Sequence, residues 1–145
     1  MTAIEHRATG HASALEQVKS WVRRYCLASL LGTPGAAHTA DLVTQAVYAD
    51  VRAALRSHRA QSPTFEAFVY QAMVWQLRHV ERPQPAPAGS ALHHLPDHLR
   101  EVLLLRTAAG LSAEQTARAL SLPTEAVMAA QHQALQVLRR FGLPG

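Results

Sequence analysis

The sequence predicts an all-α protein made of two small helical domains joined by a short proline-rich tether. Three observations carry that expectation. No alternating run of β-branched residues bounded by turn pairs occurs in the 145 residues. Apolar residues instead recur at three- and four-residue spacing between the breakers, as one buried helical face requires. The stretch RPQPAPAGS, residues 82–90, alternates three prolines with small or polar residues, a composition that favours extended chain. The domains are therefore expected at 12–82 and 93–141, with a Pro/Ala-rich linker over 83–92.

In the first domain, Leu15, Val18, Val22, Tyr25 and Cys26 place one apolar stripe on a first helix. The run Leu31-Gly32-Thr33-Pro34-Gly35 ends it, because glycine and proline together do not continue the helical ladder. Thr39 is the expected N-cap of a second helix, with Asp41 in the first turn where the dipole favours negative charge. Its stripe reads Leu42, Val43, Ala46, Val47, Val51, Ala54 and Leu55. After SHRAQSP, a third helix is expected from about Thr64 to His79, carrying Phe65, Phe68, Val69, Ala72, Met73 and Leu77.

The second domain opens with LPDHLREVLLLRTAAG. Asp97 charges or caps the helix start, Leu99, Val102 and Leu103 form the buried stripe, and Gly110 stops the helix. Ser112 and Gln115 have capping-box spacing for the next helix. The turn SLP leads to Thr124 as N-cap of a last helix, whose inward stripe is Val127, Ala130, Ala134, Leu135 and Leu138. Three helices at this spacing make a helix-turn-helix pattern.

Composition narrows the function classes. Fourteen basic and ten acidic residues give +4, a mild cationic bias that permits nucleic-acid binding. The single Cys26 excludes an internal disulfide framework and a multi-cysteine zinc site, which points to a reducing, cytoplasmic setting. No apolar run is long enough for a membrane span, and MTAIEHRATG lacks a signal peptide's apolar core. Nine histidines include His93, His94 and His98, but they lack a carboxylate–histidine set of clear spacing and read as surface residues, so no metal or cofactor is expected. No nucleophile–base pair or glycine-rich phosphate loop appears, so the chain is not expected to be an enzyme.

The helical pattern carries a resemblance. LPxxxREVLLLR, GLSAEQTA and AVxxAQHxALxxLR follow one another without gaps over 95–139, and HTADLVTQAVYADVRAAL and PTFEAFVYQAMVWQLRHVER precede them. These stretches resemble the extracytoplasmic-function (ECF) sigma factors of bacterial RNA polymerase. The resemblance implies a region 2-like three-helix unit and a region 4-like helix-turn-helix. It also implies a protein, monomeric when free, that binds core RNA polymerase and promoter DNA to direct transcription initiation, with an anti-sigma factor as a further partner. Carried over residue by residue, polymerase binding falls on Asp41, Gln45 and Tyr48. DNA binding falls on Trp75, Arg78 and Arg82 in the helix that melts the upstream element. In the helix-turn-helix it falls on Ser112, Gln115, Thr124, Met128, Gln131, His132, Gln133 and Arg139.

The bottom-up chemistry agrees with those assignments. Aromatic side chains stack unpaired bases and nearby cations hold the backbone. Phe65, Phe68 and Tyr70 compete for the core, which leaves Trp75 and Arg78, off the apolar stripe, as the better DNA candidates. In the helix-turn-helix, the second helix presents side chains to base edges while the first braces on phosphate. Two features depart from the family pattern. Met128, Gln133 and Val137 stand where relatives commonly carry basic residues, Glu125 adds a negative charge, and residues 93–145 hold five arginines against four acids, about +1. The connector 83–94 has twelve residues, a reach of at most about 40–43 Å. These features motivate an alternative: a sigma-like paralogue that binds polymerase or an anti-sigma factor without reading promoters.

Overall fold

The computed structural model describes residues 3–57, 64–80 and 95–140. Helix α1 (Ala3–Ser29) is followed by α2 (Ala36–Arg56) and α3 (Phe65–Arg78), then by α4 (Asp97–Leu103), α5 (Ala113–Leu120) and α6 (Thr124–Arg140). The described residues contain no strand. The expected linker 83–92 lies outside the described residues.

Each helix follows from its stripe and its ends, with instructive exceptions. On α1, Val18, Trp21, Val22, Tyr25 and Cys26 are buried. Helix α2 begins one turn before the expected Thr39 cap. Gly35 adopts the left-handed conformation (φ 71°), which turns the chain directly into helix, and its carbonyl accepts the Thr39 amide at 3.0 Å. Asp41 thus lies beyond the first turn and bonds Arg23 Nε of α1 at 2.8 Å instead. The buried stripe of α2 is Ala40, Val43, Thr44, Val47, Val51 and Ala54, while Leu42 falls off it and is 53% exposed. On α3, the Thr64 hydroxyl caps the start by accepting the Ala67 amide at 3.0 Å. Phe65 and Phe68 are half-buried against the core.

Helix α4 runs straight into a π-helical turn, Leu104–Ala108, where the Ala109 amide reaches the Leu104 carbonyl at 2.9 Å. Gly110 (φ 77°) closes it. The wider turn rotates the side chains that follow. Leu99, Val102 and Leu103 enter a core shared with Leu95, Ala117, Val127, Ala130 and Ala134. Leu104, Leu105, Ala109 and Leu111 enter the other core, formed with α1, α2 and α3. One helix therefore serves two hydrophobic clusters. The capping box at α5 forms as expected: the Ser112 amide donates to Gln115 Oε1 at 2.9 Å and the Gln115 amide to Ser112 Oγ at 3.0 Å. Thr124 is the first helical residue of α6 rather than its cap, and the Pro123 carbonyl accepts the Ala126 and Val127 amides.

The two helical units pack against each other. The π-helical turn lies on α1 and α5 lies on α3. At the centre, the hydroxyls of Tyr25 and Tyr70 both donate to Glu101 Oε1, and their rings meet edge-on with centroids 6.3 Å apart. Burial, reinforced by the Glu101 charge, pushes both phenols above the ordinary tyrosine range. At one rim Arg118 Nε pairs with Glu66 at 3.1 Å while its carbonyl accepts the Thr64 hydroxyl at 3.1 Å. Near Gly110, the Arg24 guanidinium is so close that a Cβ added there would stand 3.3 Å from it.

Cys26 reports on this core. It is fully buried, and desolvation pushes its thiol up to about 12. Iodoacetamide should leave the native chain unlabelled at neutral pH, with a rate at least about a hundredfold below that of the denatured chain, because thiolate and access are both suppressed. Mass spectrometry before and after denaturant checks this. Rapid native labelling would mean that the core opens on its own.

Candidate nucleic-acid interface

Helix α6 touches the rest of the chain through one side only. Val127, Ala130 and Ala134 point into the second cluster. The opposite side exposes Glu125, Met128, Ala129, His132, Gln133, Gln136, Arg139 and Arg140. Met128 is 49% exposed, an apolar side chain where a DNA-reading face ordinarily offers donors. His132 and Gln136, one turn apart, bond to each other through Nε2 atoms at 3.2 Å. The Gln136 amide can only donate there, so the His132 nitrogen is the acceptor.

Gln131 sits differently from its neighbours. It is half-buried, and its amide oxygen accepts from Arg106 Nε at 2.9 Å, while Arg106 also donates to the Leu111 carbonyl at 2.8 Å. The bond ties α6 to its supporting helix and engages one lone pair of the Gln131 amide oxygen. Ser112 and Gln115 are engaged in the α5 cap, which orders that helix N-terminus. Thr124 is half-buried at the start of α6.

On α3, Trp75 is 57% exposed and Arg78 is exposed beside it. Gln76, between them, donates to Asp50 of α2 at 3.2 Å. The indole of Trp75 is stacked on the imidazole of His79, centroids 3.9 Å apart and planes within 24°. His79 escaped the sequence reading, although its signal was present: it lies four residues after an off-stripe tryptophan. Arg82 lies outside the described residues.

Asp41, Gln45 and Tyr48 share one face of α2 and line an open depression of about 350 Å³ with Thr44 and Lys19 of α1. The Lys19 ammonium stands 4.1 Å from the Tyr48 ring centre and the Arg52 guanidinium 5.7 Å, two cations drawn to one aromatic ring. Lys19 was not apparent as a member of this group, because its pairing depends on how α1 packs on α2. Arg52, by contrast, lies one turn after Tyr48 on the same helix, and its i,i+4 spacing was a signal the sequence carried. Among the described residues, no three of His, Cys, Asp and Glu gather as a metal site requires, and no helix is long and apolar enough to cross a membrane.

Comparison with known proteins gives these faces a setting. The family Sigma-70, region 4 matches residues 91–140. The ECF RNA polymerase sigma factor SigD of Mycobacterium tuberculosis is 32% identical over 155 aligned positions, covering 86% of this chain and 73% of SigD. The chain belongs to the ECF sigma factors. Within the family it is also similar to ShbA of Streptomyces griseus, 48% identical over 52 residues, which span 36% of this chain and 27% of ShbA. The solved structure of CnrH in complex with the cytosolic domain of CnrY shares the fold, with a TM-score of 0.62 at 22% identity, covering 94% of this ECF sigma factor and 88% of CnrH. The all-helical architecture is thus that of the family, and region 4 corresponds to the helix-turn-helix of α4, α5 and α6.

Proposed function

We propose that this ECF sigma factor docks on core RNA polymerase through the α2 face of Asp41, Gln45 and Tyr48. In the same reading it engages promoter DNA with Trp75 and Arg78 of α3 and with the outward side of α6. It acts by positioning the polymerase and carries out no bond chemistry of its own. The observation that supports this best is the bare side of α6, a helix anchored by an inward apolar stripe from Val127 to Leu138 and free along its whole opposite face. The packed arrangement is its resting form. Promoter elements more than one helical turn, about 34–36 Å, apart require the two units to separate before both are engaged. A protein antagonist fits the same logic, and CnrH bound to the cytosolic domain of CnrY is the precedent for a protein partner on this fold.

Purified chain added to core polymerase should start transcripts at discrete sites. Asp41→Arg should weaken binding to core by about tenfold, a loss of about 1.4 kcal/mol. The ion pair of Asp41 with Arg23 is half-exposed, so its removal leaves the fold intact. Tight polymerase binding without initiation would replace this reading with the second one, a paralogue that holds polymerase or an antagonist. The neutral side chains at Met128 and Gln133 favour that second reading, whereas Val137, expected beside them, packs against the second cluster instead.

A further inference from the structure

The stack of His79 on Trp75 has a local cause. Trp75 lies in the last turn of α3, where backbone carbonyls have no partner within the helix. His79, the C-cap residue, supplies one: its Nδ1 lies 2.7 Å from the Trp75 carbonyl oxygen. A carbonyl only accepts, so Nδ1 carries the hydrogen and donates. The same bond lays the imidazole flat against the indole, 3.9 Å between centroids. A single side chain thus caps the helix and fixes the rotamer of its most exposed aromatic. Trp75 has 57% of its surface open although one ring face is covered, so the indole offers a held, solvent-facing surface.

We propose that Trp75 and His79 form one two-ring platform for an unpaired base of single-stranded DNA, with His79 as the positioning residue. Bases stack on aromatic faces without sequence preference. A ring already immobilised loses less freedom when a base arrives than one that samples several rotamers. His79 therefore raises affinity without touching the base, by holding Trp75 in its receiving orientation. The inference rests on the promoter role given to α3 above, and its test is arranged to separate the two.

The full chain carries two tryptophans, and Trp21 is buried, so Trp21→Phe leaves Trp75 as the only indole. Its emission is then followed during titration with a short single-stranded oligonucleotide of mixed sequence. Anisotropy of a labelled oligonucleotide with the unsubstituted Trp21 chain gives the same constants if that replacement disturbs the core. The oligonucleotide should quench Trp75, and His79→Ala should weaken binding by about three- to tenfold. His79→Phe, which keeps a stacking ring and loses the donor that orients it, should bind more tightly than His79→Ala and more weakly than the natural chain. His79→Asn, which keeps a donor and loses the ring, should bind as weakly as His79→Ala. Affinity for core polymerase should be unchanged in all three. Absence of Trp75 quenching, equal binding by His79→Ala, or full binding by His79→Asn would each overturn the platform. Quenching by the natural chain together with failure to bind polymerase would leave the platform standing and remove the sigma-factor role instead.

Discussion

Replacing Glu101 with alanine should loosen the packed chain. The carboxylate accepts both tyrosine hydroxyls that join α1 and α3 to α4, and each hydroxyl is largely removed from water. Hydrogen bonds to a charged acceptor contribute about 1.5–3 kcal/mol each, so loss of the pair should destabilise the closed form by about 3–6 kcal/mol. Glu101→Gln keeps an acceptor oxygen and should lie between. Small-angle scattering should show a larger radius of gyration for Glu101→Ala, and promoter DNA should bind it more tightly than the natural chain. An unchanged scattering profile would show that the apolar contacts alone hold the units together.

Alkali should act on the same cluster. Folding raises the pKa of both phenols, through burial first and the neighbouring carboxylate second, so the native state retains their protons more firmly than the unfolded chain. Their stabilising contribution is complete below the ordinary phenol value of about 10, and it declines as pH rises past that value. The slope should reach at most about 1.4 kcal/mol per pH unit for each tyrosine. Denaturant midpoints measured across this range in the natural chain and in Tyr25→Phe/Tyr70→Phe would display the difference.

Arginine at Met128 and Gln133 together should convert a weak DNA grip into a firm one. Both positions are exposed on the outward side of α6, and arginine is a good helix former, so the fold should tolerate the change. Each new phosphate contact adds about 0.9 to the slope of log affinity against log salt, so the pair should add about 1.8. At physiological ionic strength, affinity for duplex DNA should rise by roughly tenfold or more. Fluorescence anisotropy at several salt concentrations gives both quantities. A slope identical to that of the natural chain would mean that this side of α6 does not face the duplex.

Much of this was legible in the residues, and the parts that were not share a physical reason. Local chemistry predicted the Ser112–Gln115 capping box and the off-stripe exposure of Trp75, because each depends on neighbours within one helical turn. Thr39 looked like a cap only while Gly35 was read as a breaker. In its left-handed conformation that glycine instead starts α2 a turn earlier. The run Val102-Leu103-Leu104-Leu105 has more apolar residues than one stripe can use. Nothing local says that a π-helical turn divides them between two cores, since that division depends on α1. Likewise the bond from Arg106 to Gln131 and the contact of Lys19 with Tyr48 join residues far apart in the chain.

The seating of Leu104 and Leu105 together in the α1–α3 core also governs what becomes of the molecule once it unfolds its arms. Their withdrawal leaves a greasy hollow in the floor formed by α1 and α3, and a naked hollow of that kind invites self-association. The extended state should therefore persist only while another macromolecule roofs that floor, which makes assembly and extension a single concerted event.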